Sequence, residues 1–267
     1  MNLFDSHAHY NDEKFDGDRE TLIKDVYKFG ITQIVNAGYS IESSIKALNI
    51  SKKYEFMYAT AGVSPNDIEG IEQDYISRIE NIAIDKKIVA IGEIGLDYYW
   101  NKENKEEQKE IFIEQIKLAN KLDLPIVIHS RDAEQDTIDI LKNKIQCKNK
   151  GVFHCCQLNI ELIKEAVKLG YFISFAGPIT FKNSKNAGIV VDYVPIDRIL
   201  IETDSPYLSP EPNRGYRNDS RNVKYIAQKI ADIKGISLDE VAKQTYENAK
   251  KIFKIGEKNE RYKYKWI

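Results

Sequence analysis

The sequence predicts a (β/α)8 TIM barrel that forms a single domain. Short apolar runs rich in β-branched residues alternate with longer segments of helical periodicity almost to the C-terminus. This alternation is typical of βα units that build a parallel sheet. The chain has 267 residues, of which 42% are hydrophobic. That length is common for one large α/β barrel, and the apolar fraction is sufficient for its core.

Eight short apolar runs are the candidate strands of this barrel. Each run is followed by a segment in which apolar residues recur every three or four positions, as they do on the buried face of an amphipathic helix. We expect strands at residues 3–4, 33–36, 57–62, 89–92, 126–129, 152–154, 172–174 and 199–202.

The segments between the strands predict outer helices that each bury one face against the barrel. A ninth helix is expected to begin at Ser237, where Glu240 completes a capping box, and to end near Phe253. The core-facing sets are Leu22, Val26 and Phe29; Ile41, Ile45 and Leu48; Phe112, Ile116 and Ala119; Ile160, Ile163 and Val167; and Val223, Ile226, Ile230 and Ile233.

An open doubly wound sheet is the alternative architecture, but the sequence has no Gly-x-Gly-x-x-Gly dinucleotide fingerprint to support it. We expect the barrel to occupy residues 1–253 and a polar tail to occupy residues 254–267. In the tail, Lys or Arg alternates with Tyr262, Tyr264 and Trp266. Such a tail could stack on nucleic acid, although packing on the barrel or fraying is the favoured interpretation.

The overall charge excludes a global attraction to polyanions. The chain has 39 Lys and Arg against 41 Asp and Glu, a net charge of −2. A nucleic-acid substrate would therefore have to be held by local groups or by metal. Cys147, Cys155 and Cys156 do not form a spaced disulfide framework, which indicates a reduced, cytoplasmic protein. No leader peptide and no apolar run of ~18 residues is present, so we expect neither secretion nor a membrane partner.

Residues able to bind metal lie at or just after the ends of predicted strands. The ends of parallel barrel strands meet at one mouth, so these side chains are expected to converge there. A single histidine is more often a structural group than a ligand, but accidental placement would scatter the set over both ends of the barrel. Four imidazoles and two carboxylates suffice for two metal ions that share a bridging group. The set is His7, His9, Glu93, His129, His154 and Asp204.

Five sequence blocks resemble, in order and spacing, the signature segments of the TatD family of metal-dependent deoxyribonucleases, within the amidohydrolase-like superfamily. The resemblance extends from the first strand to about Phe253. The blocks are DSHAH at 5–9, GEIGLDY at 92–98, PIVIHSRDA at 125–133, FHC at 153–155 and ETDSPYL at 202–208.

The resemblance implies a site with two divalent metal ions and hydrolysis of phosphodiester bonds in DNA, typically as a 3′ to 5′ exonuclease. It assigns His7, His9, Glu93 and Asp204 to one ion, and Glu93, His129 and His154 to the other, with Glu93 as the bridge. DNA is then the expected substrate, and we expect a monomer.

The catalytic residues expected on this scheme are Asp204 and Glu93. Asp204 could hold an ion and also accept the proton of the attacking water, or it could be a ligand alone; the sequence leaves both open. A nitrogen-rich ligand set favours zinc, manganese, nickel or iron over magnesium, whereas the family is usually described as magnesium-dependent or more broadly divalent-dependent. We expect a transition metal.

Candidate substrate contacts surround the predicted ligands. Arg131 lies two residues after His129 and could bind a phosphate; an ion pair with Asp97 or Asp132 is the alternative. The aromatic residues 98–100 could stack on unpaired bases, or they could pack the loop shut.

A second group of candidate contacts follows the eighth strand. Arg214 and Arg217 lie in a loop rich in Pro and Gly at residues 210–218. They could bind substrate, or they could instead hold neighbouring backbone carbonyls in place. The second role is the more expected one for at least one of them.

The chain departs from the family pattern in two loops. Gly-Val-Ser-Pro-Asn at residues 62–66 stands where the family commonly has Gly-Val-His-Pro-His, so Ser64 and Asn66 can form hydrogen bonds but supply no positive charge. Cys-Cys-Gln-Leu at residues 155–158 stands where Cys-Phe-Ser-Gly is usual. Neither change removes a proposed ligand.

Two other functions fit part of these observations. The barrel could be an amidohydrolase-type enzyme acting on a small amide or ester, and the ligand set does not separate this reaction from phosphodiester hydrolysis. It could also be a non-catalytic nucleic-acid-binding descendant, which the intact ligand set disfavours.

Overall fold

Eight parallel strands form one sheet in which every strand pairs with the next strand along the chain. The structure, a computed structural model, describes residues 1–156 and 158–256. The strands are β1 (Leu3–Ala8), β2 (Ile31–Asn36), β3 (Met57–Ala61), β4 (Ile88–Asp97), β5 (Ile126–Arg131), β6 (Gly151–Phe153), β7 (Phe172–Phe175) and β8 (Ile199–Ile201).

The first and last strands approach each other and bring the sheet close to a closed barrel. The Asp204 amide donates to the His7 carbonyl at 2.9 Å, and the His9 amide donates to the Ser205 carbonyl at 2.7 Å. These bonds lie just beyond the carboxyl end of β8, at the mouth of the barrel. The predicted (β/α)8 barrel is confirmed, and the open doubly wound alternative is wrong.

Nine α-helices surround the sheet in the described part of the chain. The capping box at the start of the last helix is present, with the Ser237 hydroxyl accepting from the Glu240 amide. The helices are α1 (Arg19–Phe29), α2 (Ile41–Ser51), α3 (Tyr75–Ala83), α4 (Lys105–Leu122), α5 (Glu134–Asp139), α6 (Ile160–Lys168), α7 (Ala187–Tyr193), α8 (Val223–Lys234) and α9 (Leu238–Ile252).

Two residues expected to face the core are exposed instead. Phe29 is 47% exposed and Ile45 is 43% exposed. Phe29 is the last residue of α1, where the chain turns away at Gly30, and the Lys224 ammonium covers its ring at 4.8 Å. Ile45 belongs to the predicted stripe of α2, whose other members Ile41 and Leu48 are buried. The periodicity therefore predicted correctly which face of each helix is buried, but it overestimated how many residues of that face are covered.

The barrel interior contains a layer of apolar side chains from seven strands, closed at one end by the last helix. Phe4 of β1 packs on Phe253, with ring centroids 6.2 Å apart, and the end of α9 contributes Ala249 and Ile252 to the same cluster. The interior is thus a packed core, as expected for this barrel type. The strand residues are Phe4, Val35, Val89 with Ala90, Val127, Val152, Phe172 and Leu200.

Irregular pairing occurs where the strands carry candidate ligands. The register of β1 against β2 shifts between Asp5 and Ala8, and the register of β4 against β5 shifts between Ile91 and Ile94. Such shifts redirect side chains next to active sites. They enclose His7 in β1 and Glu93 in β4.

None of the helices in the described ranges is long and apolar enough to cross a membrane. Phe253 and Ile255 still belong to the interior cluster. The remaining tail residues 257–267, which include Tyr262, Tyr264 and Trp266, lie outside the described residues, so their expected roles stay predictions.

Gly95 permits close contact between β4 and β5 at the mouth. Its φ is +143°, and a Cβ built on it would lie 1.9 Å from the His129 carbonyl oxygen. We expect Gly95→Ala to lower the free energy of unfolding by about 3 kcal/mol or more, through steric overlap and an unfavourable backbone conformation. Urea denaturation measures the effect.

Gly188→Ala is the matched control, because the residue is in helix α7 and the added methyl group meets no described atom within 4 Å beyond its chain neighbours and the backbone of its own helix. This variant should be unchanged or more stable by up to about 1 kcal/mol. Equal stabilities for the two variants would contradict the assigned role of Gly95.

Candidate metal centre

A cavity of about 820 Å³ opens at the carboxyl ends of the strands. Five of the predicted ligands line it, and His7 lies beneath them with 0% exposure. The structure thus brings all six candidates to one mouth, as expected from their positions at strand ends. The five lining residues are His9, Glu93, His129, His154 and Asp204.

The first cluster consists of His7, His9 and Asp204, with one Glu93 oxygen beside them. His7 Nε2 lies 3.1 Å from His9 Nε2, and His9 Nε2 lies 3.2 Å from Asp204 Oδ1. Glu93 Oε2 lies 3.5 Å from His7 Nε2 and 3.9 Å from His9 Nε2. Ligand atoms this close could share one ion.

The second cluster consists of Glu93, His129 and His154. Glu93 Oε1 lies 2.9 Å from His129 Nδ1 and 3.1 Å from His154 Nε2. The two imidazole nitrogens are 3.2 Å apart. Glu93 therefore directs one carboxylate oxygen to each cluster, which is the arrangement that a bridging ligand requires.

Hydrogen bonds on the far side of the rings determine which nitrogens face the clusters. His9 Nδ1 lies 3.1 Å from the Ala37 carbonyl, and His129 Nε2 lies 2.9 Å from Asp97 Oδ2. A carbonyl and a carboxylate accept only, so these nitrogens carry protons. The other nitrogen of each ring is left to face the cluster, as it is in metal-binding histidines whose outer N–H donates to a carbonyl or carboxylate.

The donor set fits divalent cations. At His9, a nitrogen lone pair faces His7 Nε2 at 3.1 Å and the Asp204 carboxylate at 3.2 Å. Lone pairs at this separation repel unless positive charge lies between them, supplied either by protons or by metal. His7 Nδ1 is also buried without a hydrogen-bond partner. Imidazole nitrogens combined with carboxylates are typical ligands of first-row divalent metals.

The pKa values show how the protein compensates these charges by itself. Burial raises the pKa of Glu93, but the charge of His154 and hydrogen bonds from the surrounding histidines outweigh burial and hold that pKa well below its usual value. Burial lowers the pKa of His154, but the charges of Glu93 and Glu202 raise it well above 6.5. A buried carboxylate thus stabilises protonated imidazole beside it.

The same balance holds around Asp204. Burial raises the pKa of Asp204, yet the hydrogen bond and charge of His9 bring it below its usual value. Burial lowers the pKa of His9, yet Asp204 and Glu93 raise it above 6.5. In His7, burial and the charge of His154 lower the pKa.

Asp97 contacts the centre in a way that the sequence analysis did not assign. It is 0% exposed, and its Oδ2 accepts from His129 at 2.9 Å and from Asn66 at 3.2 Å. Its Oδ1 accepts from the amides of Tyr99 at 2.9 Å and Trp100 at 3.0 Å. Its position four residues after Glu93 in the same strand was the available signal.

Glu202 is the second residue missed. It is 0% exposed, its Oε1 lies 3.5 Å from His154 Nδ1, and it accepts from the Cys155 amide. Its carboxylate faces the outer nitrogen of His154, but at 3.5 Å this is a charge contact and not the hydrogen bond that Asp97 forms with His129. Its place two residues before Asp204 was the sequence signal.

The predicted arginines occupy different surroundings. Arg131 lines the cavity and makes no ion pair with any described residue, so the pairing with Asp97 or Asp132 is not formed; its guanidinium lies 3.8 Å from the Tyr99 ring centroid. Ser64 and Asn66 also line the cavity.

Arg214 and Arg217 are not among the residues that line the cavity. Arg217 pairs with Asp18 and donates to the Lys14 carbonyl at 2.7 Å. This contact matches the structural alternative, in which an arginine holds a backbone carbonyl in place. The Arg214 guanidinium lies 4.2 Å from the Phe181 ring centroid.

Comparison with known proteins identifies similar chains. The family model for TatD related DNases matches residues 4–254. A Bacillus subtilis protein described as the uncharacterized metal-dependent hydrolase YabD is 42% identical over 95% of this chain and 100% of its own length. The Escherichia coli protein YcfH, described in the same words, is 34% identical over 96% of this chain and 97% of its own.

A solved structure gives the same result for the fold. The crystal structure of YJJV, a TatD homologue from Escherichia coli, superposes with a TM-score of 0.90 and 26% identity, covering 95% of this chain and 98% of that one.

We expect Asp97→Asn to weaken metal binding by about 10- to 100-fold, the usual effect of losing an outer partner of a ligating histidine. An amide nitrogen in place of Oδ2 cannot accept the His129 proton, whereas the remaining oxygen can still accept from the Tyr99 and Trp100 amides. Titration of Zn²⁺ against a fluorescent chelator measures the affinity. Asp136→Asn is the control, since Asp136 contacts Tyr98 and Lys109 but no histidine among the described residues. Equal Zn²⁺ affinities in the two variants would disprove the role of Asp97 as the partner of His129.

Metal loading should release protons. The pKa values of His9, His129 and His154 are raised above 6.5, and ligands must lose their protons to bind metal. Affinity should therefore fall as the pH falls through these raised values. Calorimetric Zn²⁺ titrations near neutral pH in two buffers of different ionisation enthalpy should give different heats; identical heats would contradict this protonation scheme.

Proposed function

The chain belongs to the family of TatD-related DNases, which are metal-dependent hydrolases, and from this membership we propose that it is a divalent-metal-dependent phosphodiesterase that hydrolyses DNA from the 3′ end. The observation that carries the proposal is the position of Glu93, whose two oxygens face separate histidine pairs. This is the arrangement expected of a two-metal site.

The proposed ligands of the first ion are His7, His9, Glu93 and Asp204, and those of the second are Glu93, His129 and His154. Bound there, two divalent ions would supply an activated water and electrostatic stabilisation of the phosphoryl oxygens. The nitrogen-rich set favours zinc, manganese, nickel or iron, with magnesium as the weaker candidate.

We assign Asp204 the role of general base in addition to that of ligand. Its side chain is 15% exposed at the cavity, and Oδ1 is the oxygen that contacts His7 and His9. Oδ2 accepts no hydrogen bond from the described residues and can take a proton from water. The lowered pKa of Asp204 keeps it ionised at neutral pH. The Asp204 backbone N–H donates a hydrogen bond to the His7 carbonyl at 2.9 Å, which holds the residue against β1.

Glu93 contributes charge and position rather than proton transfer. Both of its oxygens face histidine nitrogens within 4 Å, and its side chain is only 9% exposed. A carboxylate so surrounded stays ionised and keeps the two clusters at a constant separation.

Arg131 is the proposed phosphate contact. It supplies an unpaired positive charge among the described residues of the cavity, and a guanidinium binds phosphate oxygens in a forked geometry. Arg214 and Arg217 stay predictions as substrate contacts, and they could meet only a segment of the substrate outside the cavity.

A second candidate is hydrolysis of a small amide or ester, because the same ligands could activate water toward a carbonyl carbon. The unpaired Arg131 favours an anionic substrate over a neutral one, which supports the phosphodiesterase proposal.

The deciding test uses DNA labelled at its 5′ end, single-stranded and duplex, with Mg²⁺, Mn²⁺ or Zn²⁺. We expect progressive shortening from the 3′ end. In Asp204→Asn, kcat should fall by about 10²- to 10⁴-fold and stay low at saturating metal if Asp204 is the base; recovery at high metal concentration would assign it as a ligand alone.

Asp232→Asn, on the exposed face of α8, is the matched control and should cleave normally. Intact DNA under every metal, with turnover of an acyl ester, would favour the amidohydrolase-type reaction. DNA retained without cleavage would favour a binding protein.

A further inference from the structure

Two aromatic side chains stand exposed at the rim of the metal cavity. Tyr99 is 47% exposed and Trp100 is 65% exposed, whereas Tyr98 before them is 7% exposed and its hydroxyl donates to Asp136 at 2.7 Å. Only Tyr98 therefore packs the loop after β4. The other two rings lie edge to face with centroids 4.8 Å apart.

Arg131 joins these rings to the metal centre. Its guanidinium carbon lies 3.8 Å from the Tyr99 centroid and 5.6 Å from the Trp100 centroid. It follows His129 by two residues in β5 and has no carboxylate partner among the described residues. Stacking on Tyr99 holds the cation in place while leaving its N–H groups free for an anion.

The backbone of Tyr99 and Trp100 is connected to the candidate ligand His129 through one carboxylate. Asp97 accepts from the Tyr99 and Trp100 amides with one oxygen and from His129 with the other. The distance between the aromatic rim and the proposed metal site is therefore set by a buried group, and not by a free loop.

The charge around Trp100 indicates what its ring would contact. Trp100 lines the metal cavity and an adjoining cavity of about 640 Å³. The adjoining cavity contains Glu69, Glu103 and Glu107 against the single cation Lys102. Carboxylates repel a phosphate but not a neutral base, so a base is the complementary occupant beside Trp100.

We propose that Tyr99, Trp100 and Arg131 form a nucleotide subsite in which Arg131 binds a phosphate and the Trp100 ring stacks on an unpaired base. The inference rests on the proposed function and assigns to this rim the contact with an unpaired terminal base. A base in a duplex is already stacked and paired, and it has to be released before an aromatic side chain can take it.

The test uses the intrinsic fluorescence of Trp100. The chain has two tryptophans, so Trp266→Phe leaves Trp100 as the single tryptophan reporter. The metal-loaded protein is titrated with a single-stranded oligonucleotide whose last linkage is a slowly hydrolysed phosphorothioate, and with the same oligonucleotide ending in an abasic nucleotide. We expect strong quenching by the first and little by the second.

Affinities measured by polarisation of labelled oligonucleotides complete the test. In Trp100→Ala the normal oligonucleotide should bind about 10- to 100-fold more weakly, while binding of the abasic one changes little; Trp100→Phe should restore most of the loss. Tyr216→Ala, at a ring 78% exposed elsewhere, is the control and should bind both normally. Equal weakening of both oligonucleotides in Trp100→Ala, or absence of quenching, would overturn the subsite.

Kinetics separate this inference from the proposed function. With cleavable single-stranded DNA, Trp100→Ala should raise KM with kcat nearly unchanged. DNA cleavage that is unaffected by Trp100→Ala would overturn the subsite and leave the nuclease in place. Base-dependent quenching without any cleavage would support the subsite and count against the nuclease.

Discussion

The contact on which the rest of this site depends is the one between the buried Glu93 carboxylate and four imidazoles. One oxygen faces His7 and His9, and the other faces His129 and His154. A carboxylate removed from water is costly unless opposite charge surrounds it. Contact between the two groups raises the pKa of His154 and lowers the pKa of Glu93, against the effect of burial on each. Bound metal ions would supply positive charge at the same place.

Two parts of the barrel support this arrangement: the pairing of its strands and the carboxylates behind the histidines. Register shifts in β1 and β4 enclose His7 and Glu93, so regular strand pairing is interrupted at two of the candidate ligands. Behind the candidate ligands, Asp97 accepts a hydrogen bond from the outer nitrogen of His129, and the Glu202 carboxylate lies 3.5 Å from the outer nitrogen of His154. The loop that departs from the family pattern is part of this support, because the Asn66 amide donates to Asp97 at 3.2 Å. Asparagine at residue 66 therefore supplies no positive charge to the mouth. Its neutral amide instead donates a hydrogen bond to Asp97, the carboxylate behind the candidate ligand His129.

Individual charged groups, and not the net charge of the protein, determine how the cavity mouth attracts a substrate. A net charge of −2 offers no general attraction to a polyanion, and the other charged side chains that line the cavity include Asp67 and Asp204. Arg131, held by Tyr99, is the fixed cation near the centre among the described residues. Substrate binding on this surface would depend on the metal ions and on that single guanidinium, which makes aromatic stacking at Trp100 a meaningful share of the interaction.

The sequence alone determined the architecture and the set of candidate ligands. Strand and helix periodicity depend on neighbouring residues, and carboxyl ends of parallel strands always meet at one mouth; the eight strands, the helix from Leu238 and the convergence of the six candidates followed from these rules. What only the tertiary structure decided is which atoms meet. Contacts between residues far apart in the chain decide how the two Glu93 oxygens divide between the clusters and place Asp97 and Glu202 behind the histidines. Such contacts also leave Phe29 exposed and place Arg217 away from Arg131. The distances between these residues depend on closure of the barrel and on local register shifts, and a periodic sequence pattern contains no information about either.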